Sequence, residues 1–511
     1  MRKLILAVAV WLTACLPTVT QPVVPTPTLA PNPTSTSTKV DLTPTVDPSL
    51  KVDLSPYRAA MRSEFASDVD QFATATRYQI DLTLAPDLAS YTARQTVHYT
   101  NNEAEPLSAI YFRLFPNTSS YGGKVTVSDF KLNGQSVTPI AELGNSALRI
   151  PIEPPLPIGA AVNFEMAYQT KVPTSSVTSG YNQFGLFSGV LALPNFYPQI
   201  PVYDSEGWNV EVAPGMGDAV FSDAALYQVD IHAPKNQLLV TSGTCESRDA
   251  PEGQQTQHCV SGPMRDFMIA ASADFQVASE TVDDVQINSY FLKKDAAAGR
   301  TGLQVTTEAF KSYSKRIGPY PFNQLDLVET PTTAGGIEYP GLIVVAQDLY
   351  EEDHAFQEGA TAHEAAHQWW YSLVGNDQID DPWLDEAFTQ FTTGLYYLDR
   401  YGQDGLSGYV DQSLMGRYQR VKGTEDDKRS DLPVAAYSGL QYGAIVYGKA
   451  ALFFNSVYEK IGDAKFNQFM QTYFNAHRYG IAHEADLLKA IETQLDAKTV
   501  DELMKEWITS P

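Results

Sequence analysis

The chain has 511 residues and a formal charge of −25, from 35 lysines and arginines against 60 aspartates and glutamates. Its 43% apolar and 11% aromatic content is that of a globular protein with a core, which excludes a disordered chain, a fibre and a multi-span membrane protein. The acidic balance argues against nucleic acid as a partner, because phosphate binding needs basic patches, and three cysteines exclude a disulfide-dense scaffold.

Arg2 and Lys3 precede an apolar run from Leu4 to Ala14, broken by Thr13 and closed by Cys15. That run is shorter than the ~20 residues needed to span a bilayer but suits the core of a signal peptide. Leu12-Thr13-Ala14-Cys15 resembles a bacterial lipobox, which implies cleavage after residue 14 and lipidation of Cys15. The alternative is a plain secretory signal cut nearby. Either reading puts the mature chain outside the cytoplasm, and lipidation would anchor it to a bacterial membrane. Residues 15–56 form a Pro/Thr-rich segment, as in Pro22-Val23-Val24-Pro25-Thr26-Pro27. Such a composition buries little apolar surface and favours polyproline II geometry. It reads as a stalk holding a folded body off a membrane, or as a leader with no spacing role.

Residues 57–272 alternate apolar and polar side chains. Tyr78, Ile80, Leu82 and Leu84 do so, as do Val162, Phe164, Met166 and Tyr168, and again Tyr227, Val229 and Ile231. Period two puts one face of each strand on a core, so this half is expected to be an antiparallel β-sheet domain. Cys245 and Cys259 flank the turn-like stretch Asp249-Ala250-Pro251-Glu252-Gly253. They are a candidate disulfide in an oxidising compartment, the alternative being two buried thiols.

Residues 273–511 change to helical spacing. Helices are expected over about 303–316, 357–374, 384–401, 440–460 and 484–508, with Gly375 stopping the second. Leu325–Val328 and Leu342–Val345 read as strands. The fold class expected is therefore α+β: an antiparallel sheet domain followed by a mostly helical one.

His363-Glu364-Ala365-Ala366-His367 lies within the second of these helices. Residues four apart share a helix face, so both imidazoles can point at one ion. Zinc takes neutral imidazole nitrogens, and a catalytic zinc needs a third protein ligand and an open position. Glu364 is off that face, able to serve as general base toward water. Glu386 follows 19 residues after His367, beyond the turn 375–382. A second helix folding back there would bring its carboxylate to the same ion.

With Glu386 downstream, His363-Glu364-Ala365-Ala366-His367-Gln368-Trp369 resembles the aminopeptidase N and leukotriene-hydrolase family of gluzincins. Gly335-Gly336-Ile337-Glu338-Tyr339 is similar to that family's exopeptidase motif, and Tyr447-Gly448-Lys449-Ala450 to the segment carrying its catalytic tyrosine. Tyr442 matches a second tyrosine there. The four elements follow the family's order and spacing. The resemblance implies a thermolysin-like catalytic domain holding one Zn2+ per chain on His363, His367 and Glu386. It implies Glu364 as general base and Tyr447 as donor to the developing oxyanion. Glu338 would bind the substrate's α-ammonium, with Gly335 and Gly336 letting a peptide run alongside as an added strand. The expected partners are peptides with a free N-terminus.

Departures from the pattern are also legible. Asp385-Glu386-Ala387 replaces the usual Asn-Glu-Gly, and Ile337 and Tyr339 stand where Met and Asn are usual. The family's C-terminal helical domain is expected to be missing after Pro511, leaving a more open cleft. A further residue for the substrate amine is sought between Gln183 and Gln199. The leading expectation is a zinc aminopeptidase on the outer face of a membrane. Its rivals are an endopeptidase on the same scaffold and a non-catalytic lipoprotein that captures peptides.

Overall fold

The computed structural model describes residues 52–177, 179–212, 214–217, 220–351 and 356–511. Cys15, the signal segment and most of the Pro/Thr-rich stretch lie outside the described residues. Residues 52–56, assigned above to that stretch, are packed: Leu54 is buried in the core and the helical turn Ser55–Arg58 follows it.

Strict alternation builds the first half. Arg77–Leu84 buries Tyr78, Ile80, Leu82 and Leu84 and turns its other residues outward, as one-sided sheets require. It lies inside an eight-stranded sheet whose order is Thr244–Arg248, Gln254–Val260, Leu226–Pro234, Arg77–Leu84, Ser90–Thr100, Ala161–Lys171, Lys124–Leu132, Gln135–Ser136. Every pairing is antiparallel except one: Arg77–Leu84 runs parallel to Leu226–Pro234. The antiparallel expectation misses that pair because alternation reports which face is buried and carries no strand direction. Three- and four-stranded sheets pack onto the large one through shared core residues such as Phe112, Phe164 and Leu191. Cys245 and Cys259 are directly opposed across strands and joined as a disulfide.

A five-stranded sheet opens the second half, in the order Phe275–Val282, Val285–Leu292, Gln324–Thr330, Leu342–Ala346, Gly336–Ile337. Gln324–Thr330 runs parallel to both its neighbours, and its pairing with Val285–Leu292 is joined by the helix Ala296–Arg316, the crossover a parallel pair demands. Gly336–Ile337 returns antiparallel along Leu342–Ala346 and forms the rim on which Glu338 sits.

All five expected helices depart from the spans given above, the one over 303–316 beginning seven residues early as Ala296–Arg316. The helix expected over 357–374 ends at Ala366. Past it, Tyr371 takes a backbone φ of +108°, which no helix accommodates. Gly375 therefore does not stop this helix; a side chain there would collide with the Arg265 guanidinium. Trp383–Tyr409 outruns its expected end but bends at Gly402, whose φ of 71° is left-handed. The segment 440–460 is Gly439–Ala444, a π-helical turn Ile445–Lys449 and Ala450–Ile461. The stretch 484–508 divides into Glu484–Ile491 and Ala497–Trp507. Asp463–His477 is a helix not anticipated. No helix among the described residues is long and apolar enough to cross a membrane.

Candidate metal centre and peptide site

His363 and His367 project from the end of Gln357–Ala366, and Glu386 from the first turn of Trp383–Tyr409. Trp370 stacks on Phe388 at 4.3 Å between ring centres, and its Nε1 donates to Thr392 at 3.0 Å. These contacts dock the second helix against the turn that follows the first. The result brings three ligand atoms together. The two imidazole Nε2 atoms are 3.1 Å apart, and the Glu386 Oε2 lies 3.3 Å from one and 3.4 Å from the other. Ligands 2.0–2.1 Å from a tetrahedral ion are separated by roughly 3.3–3.4 Å.

The surroundings fit a cation as well as the spacing does. His367 Nδ1 faces the Trp370 carbonyl at 2.9 Å. Donating its proton there leaves Nε2 as a bare lone pair, the tautomer a metal requires. Burial pushes the His363 pKa down to about 4, so this ring is neutral at physiological pH. Burial would raise the Glu386 carboxyl, but contact with His363 and His367 holds it well below the usual carboxylate range. Among the described residues its Oε2 is buried without a hydrogen-bond donor. Burial would lower the His367 pKa, but the Glu338 and Glu386 carboxylates raise it well above its ordinary value, so the cluster draws positive charge to the point where the three ligand atoms meet.

Glu364, Glu338 and His367 form a second convergent group, their ligand-capable atoms within 4.8 Å of one another. Burial, reinforced by the Glu338 charge, pushes the Glu364 carboxyl well above the usual range, as suits a proton acceptor and donor. Gly336 is needed here: a side chain on it would collide with the Glu364 carboxyl. Gly335 has open space where a side chain would go, so nothing in its packing demands glycine. Glu338 is 4% exposed and its Oε1 accepts from Gln378 Nε2 at 2.9 Å. The same Nε2 reaches Asp385 Oδ2 at 2.7 Å. Asp385 Oδ1 in turn accepts from Asn376 Nδ2 at 3.2 Å and from the Glu386 amide at 2.9 Å. Asp385 thus has a job in this chain: it ties Glu338's partner to the turn that presents Glu386.

Tyr447 lies in the π-helical turn, and its hydroxyl donates to Glu386 Oε1. Its ring is 5.9 Å from that of His363, so the hydroxyl reaches the ligand cluster. Tyr442 is buried one turn earlier, its ring 5.6 Å from that of Tyr447.

Four residues were missed by the motif reading. Gln183 shares a small cavity with Glu338, Tyr371 and Gln378, and lies in the stretch where a further amine ligand is sought. Arg265 and Asp266 clamp Tyr371 from two sides. Arg265 Nε donates to the Tyr371 carbonyl at 2.7 Å, and the Tyr371 hydroxyl donates to Asp266 Oδ2 at 2.6 Å. A signal existed: two adjacent charges inside the apolar run from Met264 to Ala271 need buried partners.

Residues 301–507 match the Peptidase family M1 domain. Among characterised proteins, aminopeptidase M1 of Arabidopsis thaliana is 29% identical over 246 residues, which is 45% of this chain and 27% of the relative. Probable aminopeptidase 2 of Sulfurisphaera tokodaii is 26% identical over 251 residues, 46% of this chain and 31% of the relative. The chain thus spans under a third of the length of these relatives. Among solved structures, an M1 zinc metallopeptidase from Deinococcus radiodurans superposes with a TM-score of 0.62 at 19% identity, covering 86% of this chain and 95% of that one. A variant of it bound to a Tyr-Ser-Ala substrate aligns equally well, at 18% identity over 86% and 94%. The family match falls in the helical half of the chain, and the solved structures share the fold of both halves.

Proposed function

We propose, from the Peptidase family M1 domain at residues 301–507 and the site built on it, that this chain is a zinc aminopeptidase acting outside the cytoplasm, anchored through lipid on Cys15. The observation that carries the reading is the meeting of Glu338 with Glu364 and His367, beside the ligand trio His363, His367 and Glu386. A buried carboxylate at the strand rim has a natural counterion in a peptide's α-ammonium. Anchoring the amine there leaves only the first peptide bond over the metal ligands.

Bound on the trio, zinc supplies Lewis acidity toward the scissile carbonyl and toward water. Glu364 takes the proton of the attacking water and delivers it to the leaving amine. Tyr447 turns its hydroxyl from Glu386 to the carbonyl oxygen as negative charge develops there, a preorganised donor worth roughly 3 kcal/mol. The Gln378–Asp385 bridge holds Glu338 and the Glu386 turn in fixed relation, so amine binding and carbonyl placement are coupled.

The test is hydrolysis of matched free and N-acetylated fluorogenic peptides, with and without chelator. Cleavage of the free form alone, lost on chelation and restored by zinc, is the expected result. Cleavage of the acetylated form would instead make the chain an endopeptidase, and cleavage of neither would favour peptide capture. Mass spectrometry of the mature N-terminus checks the anchor, and an acyl-free terminus rejects it.

A further inference from the structure

We infer that Arg417 receives a carboxylate of the substrate on the leaving-group side of the scissile bond, making the site one that favours short peptides with a free C-terminus or an acidic second residue. The inference rests on the aminopeptidase reading and deepens it by naming the substrate class.

Arg417 stands on the short helical segment Gly416–Tyr418, which packs against the π-helical turn carrying Tyr447. Gly448 makes that packing close: a side chain on it would meet the Tyr418 amide at 2.9 Å, the Leu414 carbonyl at 3.0 Å and the Arg417 Cβ at 3.1 Å. The guanidinium carbon lies 5.7 Å from the centre of the Tyr447 ring. Among the described residues, the guanidinium makes no ion pair and no hydrogen bond. It is half-buried in a chain with 60 carboxylate side chains against 35 basic ones. A cation–π contact holds such a group by about 0.5–1 kcal/mol but does not neutralise it. All five of its N–H donors remain available to a planar anion, the geometry guanidinium matches best.

Its position relative to the amine site gives the direction. Glu338 approaches the ligand cluster from the His367 side. Tyr447 packs on the His363 ring at 5.9 Å, and Arg417 stacks beyond Tyr447. The two charges of opposite sign therefore flank the cluster. A peptide whose ammonium sits on Glu338 and whose first carbonyl faces Tyr447 runs on toward Arg417. Both a terminal carboxylate and an acidic side chain bring the required anion to that place.

The experiment uses Ala-Phe, Ala-Phe-amide, Ala-Glu-amide and Ala-Gln-amide, with an alanine arylamide, which has no carboxylate, as reference. Turnover is measured on the zinc-loaded full chain and on Arg417→Gln and Arg417→Lys. Binding is measured by calorimetry in the Glu364→Gln background. The expected result is a preference for Ala-Phe over its amide of roughly 10- to 100-fold, the span of a hydrogen-bonded charge pair. That preference should sit mainly in KM and in Kd, disappear in Arg417→Gln and survive in part in Arg417→Lys. A preference confined to Ala-Glu-amide over Ala-Gln-amide would support the assignment and name the side chain as the source. Acid-to-amide ratios near one in the unmodified protein, or ratios unchanged in Arg417→Gln, would overturn it. Equal loss on every substrate leaves the ratio unchanged and so assigns Arg417 to positioning Tyr447. Failure to cleave even the arylamide would reject the aminopeptidase reading, while the binding ratio still decides the role of Arg417.

Discussion

Tyr371 holds a φ of +108°, a conformation that costs an L-residue on the order of 1–3 kcal/mol and persists only where its surroundings insist on it. They do so here from both ends. Arg265 bonds its carbonyl and Asp266 its hydroxyl, and Arg265 also donates to the Ser222 carbonyl at 2.8 Å and to the Gly480 carbonyl. Asp266 is buried beside Glu338, and burial pushes its pKa up to about 7. Its Oδ1 has no partner among the described residues. Tyr371→Phe keeps the ring and strips Oδ2 of its donor as well. The expected cost is about 1–3 kcal/mol of stability, read by denaturant unfolding, and a loss under 0.5 kcal/mol would show that the clamp is not what holds the turn. Glu364 belongs to the same scale. Glu364→Gln keeps the volume and removes the base, so kcat should fall by ~10²–10⁴-fold while bound zinc, measured by atomic absorption, stays at one per chain. Loss of metal together with activity would instead make Glu364 a ligand.

Between elements, the central strand of the five-stranded sheet carries a buried acid. Asp326 accepts from Asn288 Nδ2 at 2.8 Å and from Gln324 Nε2 at 2.7 Å. Burial outweighs these bonds and pushes its pKa up to about 7. The folded chain therefore holds this proton more tightly than the unfolded chain does. The stability it contributes is complete below about pH 4 and is lost as the pH rises through 7. Asp326→Asn removes that dependence. Measured by denaturant unfolding, the unmodified protein should lose ground to the variant between pH 5 and pH 8.5, by about 3 kcal/mol. A difference that does not change with pH would mean that the carboxyl keeps its ordinary pKa. The helix ends follow a comparable logic. Gln357–Ala366 stops one residue before its second ligand because the Trp370 carbonyl must turn back to His367 Nδ1. Trp383–Tyr409 buries both Asp385 and Glu386 in its first turn, where the positive end of the helix favours negative charge.

Across the whole molecule, the site is assembled from distant parts of the chain. Arg265 and Asp266 come from the β half, Glu338 from a sheet rim, the histidines and Glu386 from two helices, and Tyr447 from a π-helical turn. On the proposed reading zinc binds only where these meet, so it would stabilise the folded chain by an amount set by affinity and concentration, about 4 kcal/mol at a thousand times Kd. Chelation is therefore expected to lower Tm by several degrees, and stoichiometric zinc to restore it. A Tm indifferent to chelator, with no zinc in the purified protein, would remove the metal assignment.

Much of this site was readable before any coordinates. His363, Glu364 and His367 share a helix whose period alone puts two imidazoles on one face, and Glu386 follows a turn long enough to reverse the chain. The β half was readable for a similar reason, since alternation directly records one buried face. Other features were decided only by tertiary packing. The parallel pair in the large sheet, the early end of the first histidine helix and the split of 484–508 all depend on which distant segment arrives as partner. The same holds for Tyr371, whose strained backbone is stable only because Arg265 and Asp266 reach it across more than 100 residues of sequence. Arg417 reads in the sequence as one more surface cation. Its place over Tyr447 depends on how closely the segment Gly416–Tyr418 packs on the π-helical turn at Gly448, because a local pattern records what one segment prefers while a site is set by which segments meet.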